Sequence, residues 1–224
     1  MILIGMFDSP FVRRVAVSCN LLELPFEHRN WSVGKDFELI RKFNPLGRVP
    51  AMVLPDGEAL VDSTAILDFL DETVGPERAL LPASGPARRE ALRVVAIALG
   101  AAEKGVLQLY EAAFRPDEKR HEPWLERCRN QMHGALAELD RIAQRHSGDW
   151  MIGERITQAD VTAACVFTFL CDALDVGNSW VVYPGLTALG ARCEALAAFR
   201  DVRVPFQAPA GSAGARVGQR GAAR

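Results

Sequence analysis

Three short stretches of this chain carry residue types that can do chemistry together: Asp8-Ser9-Pro10, Asn44-Pro45-Leu46-Gly47-Arg48-Val49-Pro50, and Asp62-Ser63. The first reads as a helix start, a capping residue followed by proline at the first helical position. Ser9 then stands where backbone N–H groups and the helix dipole favour an anion. Pro50 follows a β-branched residue and opens the apolar run Ala51 to Leu54. Proline cannot donate to a ladder, and X-Pro is where cis peptide bonds occur. Asp62-Ser63 directly precedes an apolar-periodic helix, so it offers a cap and a second anion-binding helix start. Together these residues can grip a small peptide-like ligand by backbone and side chain. Each helix start also has a plainer reading, in which Ser9 and Asp62 are only caps.

The elements that must position them follow from the apolar pattern. Residues 2 to 7 read as a buried strand, and Val12, Val15, Ala16, Cys19 and Leu22 give the next helix its apolar stripe. Phe26 to Trp31 is a second strand, which makes a βαβ unit with a parallel pair. Residues 36 to 43 form a short helix or turn. Ala51–Leu54 and Ala59–Val61 form a hairpin around Asp56-Gly57, and Ser63 to Thr73 is a helix. The order βαβ-ββα predicts an α/β module over residues 1–75, with a four-stranded mixed sheet. Residues 76–86, rich in proline, glycine and alanine, read as a linker.

Residues 87–206 carry helical periodicity only. Leu92, Val95, Leu99, Ala102, Val106 and Leu109 form one stripe, and Trp124, Cys128, Met132, Leu136, Leu139 and Ala143 another. Residues 158 to 174 are apolar nearly all round, the mark of a helix at the centre of a bundle. Thr157-Gln158-Ala159-Asp160 reads as a capping box, with Ile156 and Val161 placed for a hydrophobic staple. Pro184 to Ala198 is a further helix. Residues 207–224, mostly Gly, Ala, Ser and Arg, read as a loose tail.

Composition narrows the function. The 224 residues carry a net charge of −2, so no field of one sign draws nucleic acid or an anionic membrane. Met1 to Phe7 lacks a basic leader, and no run approaches a membrane span. Five scattered cysteines read as reduced thiols of a cytoplasmic protein. The four histidines have no ligand spacing, and no metal site, phosphate loop or Ser/His/Asp triad is expected. Ser9-Pro10-Phe11-Val12 places no thiolate at the helix start, which argues against dithiol exchange. Cys19, nearly three turns further along, reads as core filler.

The order and spacing of Ser9-Pro10-Phe11-Val12-Arg13, Asn44 to Pro50, Asp62-Ser63 and Thr157 to Asp160 resemble the cytosolic glutathione S-transferase family, in its bacterial form with serine in the first-helix motif. The resemblance implies a thioredoxin-like first domain, with Pro50 as its cis-proline, followed by an all-α helical bundle. It implies glutathione as co-substrate and no metal. The backbone of Val49 would pair with the cysteinyl part, and Asp62 and Ser63 would hold the γ-glutamyl end. Ser9 would donate to the sulfur as the catalytic hydroxyl. Arg48 and Lys35 are candidates for the glycyl carboxylate, or else solvated charges. Arg13 is expected to pair internally and structure the first domain. Phe11, Tyr110, Phe114 and Trp180 are candidates for the second-substrate pocket, where a small hydrophobic electrophile would sit. A homodimer is implied as well. The activity this implies is conjugation of the glutathione thiolate to an electrophile. The alternatives are another glutathione-dependent activity (isomerase, dehalogenase or peroxidase), or a non-catalytic binding module of the stringent starvation protein A type.

Overall fold

In the computed structural model, which describes residues 1–145, 148–178 and 182–208, four short strands form one sheet. They are β1 (Ile2–Ile4), β2 (Glu27–Arg29), β3 (Ala51–Val53) and β4 (Ala59–Val61), in the order β2-β1-β3-β4. β1 and β2 run parallel across helix α1 (Pro10–Leu21), while β1–β3 and β3–β4 are antiparallel. The mixed βαβ-ββα sheet of the sequence reading is therefore present. Side-chain alternation splits its two faces. Leu3 and Met52 enter the main core with Val12, Val15 and Cys19 of α1 and Ile66 and Leu70 of α3 (Ser63–Val74). Ile4 and Ala51 form a small second cluster with Ile40 of the one-turn helix α2 (Phe37–Ile40).

The first strand is shorter than the apolar run from 2 to 7 suggests. It ends because Gly5 turns out of the ladder at φ 130°. A Cβ there would lie 2.6 Å from Val12 Cγ2 and 2.8 Å from Val49 Cβ, so only glycine lets α1 and the Val49 loop close over the strand end. The second strand also shrinks, from 26–31 to 27–29.

The rest is helical: α4 (Gly85–Phe114), α5 (Glu122–Arg145), α6 (Gln158–Leu174), α7 (Pro184–Glu194) and α8 (Ala197–Arg200), with single 3-10 turns at 117–119 and 176–178. Helix α6 is buried without a break from Gln158 to Phe167 and packs against α4, α1 and α7, the central place its composition predicts. The stripe on α4 differs from the expected one. Its buried residues include Ala91, Val94, Val95, Ala98, Ala101, Ala102 and Gly105, whereas Leu92 is exposed. Close approach to α6 selects small residues: a Cβ on Gly105 would lie 2.4 Å from Leu170 Cδ2. On α5, Cys128, Met132, Leu136 and Leu139 are buried as read, while Trp124 is exposed. The single helix expected over 184–198 is two. The chain extends at Leu196 and then turns so that Phe199 enters the core.

Helix α1 is fastened to the helical part at three points. Gln158 Nε2 donates to Ser18 Oγ at 2.8 Å, and Asn20 Nδ2 donates to the Ala198 carbonyl at 3.1 Å. Arg13, 3 % exposed, donates to both carboxylate oxygens of Glu194 on α7, at 2.8 and 2.7 Å, and to the Phe199 carbonyl at 3.1 Å. Arg13 thus pairs across the two parts rather than within the first. The capping box is present as read. The Thr157 hydroxyl accepts from Ala159 N–H at 3.3 Å and donates to Asp160 at 2.8 Å, and Asp160 accepts the Thr157 N–H at 2.8 Å.

Two substitutions rank these contacts. Thr157→Ala removes the cap and one donor to a buried carboxylate, and should cost about 1–2 kcal/mol. Arg13→Ala leaves the half-sheltered Glu194 charge unpaired and should cost about 3 kcal/mol. Urea denaturation of the two variants against wild type reads both values. An Arg13→Ala loss no larger than that of Thr157→Ala would show the fork to be dispensable.

Candidate functional site

Strand register assembles the site. Ile4 pairs with Ala51, and Ala51 pairs with Val61. The next residue out on each strand is Gly5, Pro50 or Asp62, so these three stand in a row at one end of the sheet. Both α1 and α3 begin at that end. Ser9, Val49-Pro50 and Asp62-Ser63, far apart in the chain, are brought there together.

Ser9 precedes α1 with extended backbone (φ −73°, ψ 125°), and Pro10 takes the first helical position. Its side chain makes no capping hydrogen bond, so the half-buried hydroxyl remains available at the helix start. Ser9 is the N-cap by backbone alone, its carbonyl accepting the Arg13 N–H at 2.9 Å. The Val49–Pro50 bond is cis. Val49 lies beyond the last ladder pair, so its N–H and C=O are outside the sheet's hydrogen bonding. The loop before it is braced by buried Asn44, whose Nδ2 donates to the Arg48 carbonyl at 2.8 Å and whose Oδ1 accepts the Leu46 N–H at 3.0 Å.

Asp62 is exposed and caps α3, its carboxylate accepting the Thr64 N–H at 2.7 Å. Its backbone sits at φ 70°, ψ 134°, a sparsely populated region for a non-glycine residue that costs of order 1–3 kcal/mol. Ser63 turns inward. It is 2 % exposed, and its hydroxyl accepts from Arg14 Nη1 at 3.2 Å. Its backbone N–H is among the donors that the first turn of a helix leaves without an intrahelical partner.

Of the two cations considered for a carboxylate, Arg48 is engaged by Glu103 of α4 at 2.8 Å, with both side chains about half exposed. Lys35 is exposed on the loop between β2 and α2, with no carboxylate within ion-pair distance among the described residues. Phe11 is half-buried against the main core. Tyr110 and Phe114 lie on α4 with ring centroids 5.3 Å apart, and both are exposed. They share a helix face with Glu103 and Leu107. Burial pushes the Tyr110 phenol upward. Arg48 opposes that shift, and the charges of Glu103 and Asp8 reinforce it. These three charged residues therefore act on the Tyr110 hydroxyl. Trp180 lies outside the described residues.

Asp8, Asn44 and Glu103 are the residues that motif reading left without a role. Burial pushes the Asp8 carboxyl upward, and Gln207 N–H donates to it at 3.1 Å. Its place beside Ser9 was the one available signal. Glu103 gives none in the sequence, because its partner is 55 residues away. Cys19 is buried, and its thiol is pushed up to about 12 by that burial, consistent with core filler. Among the described residues there is no cluster of three or more His, Cys, Asp or Glu side chains that could hold a metal. No helix among them is long and apolar enough to cross a membrane.

A thioredoxin-like α/β unit with this sheet end, joined to a helical bundle, defines the class of protein. Residues 3–78 match the glutathione S-transferase N-terminal domain and residues 122–201 the glutathione S-transferase C-terminal domain, and the chain belongs to the glutathione S-transferase family. It is similar to a glutathione S-transferase from Methylobacterium radiotolerans solved with glutathione sulfonate, at 30 % identity and TM-score 0.84, covering 92 % of this chain and 95 % of that one. A glutathione S-transferase from Methylobacillus flagellatus with glutathione bound is 25 % identical at TM-score 0.80, covering 92 % and 99 %. A probable maleylacetoacetate isomerase of Drosophila melanogaster is 26 % identical over 192 residues, 84 % of this chain and 80 % of that one.

The cap on α3 separates shape from charge at Asp62. Asp62→Asn keeps an acceptor for the Thr64 N–H and should leave stability within about 0.5 kcal/mol, while Asp62→Ala should cost about 1 kcal/mol. Urea midpoints at a common slope measure the difference, and no loss in Asp62→Ala would show that the cap contributes nothing.

Proposed function

We propose that this chain is a glutathione transferase, joining the glutathione thiolate to a small electrophile. The observation that carries the reading is the uncapped Ser9 hydroxyl at the start of α1, at the sheet end where Val49-Pro50 and Asp62 also stand. A free thiol has a pKa near 8.5 and is mostly protonated at neutral pH. A hydroxyl donating to sulfur, together with the α1 N-terminus, would lower that value by about one to two units, each worth about 1.36 kcal/mol. Ser9 acts as donor to the sulfur and is not itself the nucleophile.

The backbone of Val49 pairs with the cysteinyl residue. Asp62 takes the α-amino group, and the first turn of α3 takes the α-carboxylate. Arg48 or Lys35 meets the glycyl carboxylate. Arg48 does so only by sharing its guanidinium with Glu103. The electrophile lies between Phe11, Tyr110 and Phe114. The sulfur lone pair forms the new S–C bond, and either a leaving group departs with its electron pair or the adduct takes up a proton.

A glutathione-dependent isomerase is the second reading, favoured by the similarity to a probable maleylacetoacetate isomerase. Against it, relatives of that isomerase carry a Ser-Ser-Cys turn where this chain has Asp8-Ser9-Pro10. Both readings need the same bound thiolate, and both fit a homodimer in the cytoplasm.

Wild type should be retained on immobilised glutathione and Asp62→Asn should not. Titrating thiolate absorbance of bound glutathione should give a midpoint about one unit higher for Ser9→Ala than for wild type. Identical curves would remove Ser9 from the mechanism. Mass analysis of products from a panel of electrophiles then separates conjugation from isomerisation.

A further inference from the structure

One sheltered carboxylate near the pocket aromatics has no cation to neutralise it. Asp8 stands in the turn ahead of α1, next to Ser9. Burial pushes its carboxyl upward, while the N–H groups of Gln207, Asp8 and Ser9 oppose that shift by bonding the charged form. The Gln207 N–H donates to it at 3.1 Å. Gln207 is itself held in place, because Arg203 pairs with Asp172 at 2.8 Å and the Phe206 ring lies 5.7 Å from that of Phe169. Among the described residues no arginine, lysine or histidine lies within ion-pair distance of Asp8.

That charge reaches the place assigned to the electrophile. It acts on the Tyr110 hydroxyl, as do the charges of Arg48 and Glu103. Arg48 and Glu103 are paired at 2.8 Å, so at a distance their fields largely cancel. Further along α4, Glu111 and Arg115 form another pair at 2.9 Å. Of the three charges acting on Tyr110, the one without a partner of opposite sign is Asp8. The neighbouring rings of Tyr110 and Phe114 are exposed, and a ring face attracts cations and repels anions. A thiolate held beside Ser9 adds a second negative charge next to Asp8. An electrophile bearing a carboxylate therefore approaches against two like charges, with Arg48 already engaged by Glu103.

We propose that Asp8 is a specificity-determining residue of the electrophile pocket: its uncompensated carboxylate disfavours electrophiles that carry a carboxylate and admits neutral and cationic ones. This rests on the glutathione transferase reading and names the substrate class of that same site. Asp8 takes no part in forming the S–C bond. It acts through space on the charge of whatever enters.

Steady-state kinetics with glutathione and two aryl chlorides test this: 4-chloro-3,5-dinitrobenzoate and its methyl ester, which carry the same reacting centre and differ in charge. In each, the thiolate sulfur bonds to the chlorine-bearing carbon and chloride leaves with its electron pair. The quantity read is the benzoate-to-ester ratio of kcat/KM, each value divided by its uncatalysed rate. Wild type should favour the ester. Asp8→Asn keeps an acceptor for the Gln207 N–H and removes the charge. It should raise the ratio about five- to tenfold at low salt, mainly through a lower KM for the benzoate, and about 0.5 M NaCl should shrink that gain to about twofold. Asp8→Glu, which keeps the charge, should stay within about twofold of the wild-type ratio. An unchanged ratio in Asp8→Asn, or a gain that salt does not reduce, overturns the proposal while leaving the transferase reading intact. Should Asp8→Asn not fold, a wild-type ratio that fails to rise with salt overturns it equally. Wild type that conjugates neither chloride overturns the transferase reading, and this proposal with it.

Discussion

The fork between Arg13 and Glu194 holds helix α1 in register with the helical part. Helix α1 carries Ser9 at one end, and α4 of the helical part carries Glu103, Tyr110 and Phe114. The distance between those two sets of side chains depends on how α1 sits against the bundle. Apolar packing of α1 on α6 supplies most of the attraction, but apolar contact is non-directional. A bidentate pair is directional. With a third bond to the Phe199 carbonyl and the guanidinium 5.9 Å from the Phe199 ring centroid, it sets both the height and the rotation of α1. Burying an arginine is costly, and this geometry offsets the cost.

The Arg48–Glu103 pair is of another kind. Both partners are half exposed, so it adds little to stability and weakens with salt. Its effect is local. It connects the loop before Pro50 to α4 across the site, and it keeps a cation near Tyr110 without leaving that cation free. Asp8, whose carboxylate accepts the Gln207 N–H at 3.1 Å, also acts on the Tyr110 hydroxyl by its charge.

Much of this was legible in the residue order, and the reasons are physical. Period-2 and period-3.6 patterns reveal elements because they reflect which faces are buried, and α1, α3, α5 and α6 followed them. The α4 stripe was misread because Leu outweighs Ala in any apolar count, whereas close helix contact favours Ala and Gly, as Gly105 against Leu170 shows. The end of β1 at Gly5 depends on Val12 and Val49, which only the folded chain brings near. Ser9, Pro50 and Asp62 were legible because each is a backbone-determining residue at an element boundary. The inward turn of Ser63 was not, since it depends on a buried Arg14 that local pattern treats as one more helix former. The partner of Arg13, 181 residues away, lay beyond any local signal.

The contact between Gln207 and Asp8 closes the chain on itself. Phe206 meets Phe169 at a ring separation of 5.7 Å, and Arg203 pairs with Asp172, so the last described stretch is anchored to α6 before it reaches the turn ahead of α1. The stretch up to Gln207 therefore returns to the turn ahead of α1. Fraying from either direction has to disturb α1, and α1 belongs to the apolar cluster shared by sheet and bundle. The shared apolar cluster couples the unfolding of sheet and bundle, because neither can be exposed without uncovering the other.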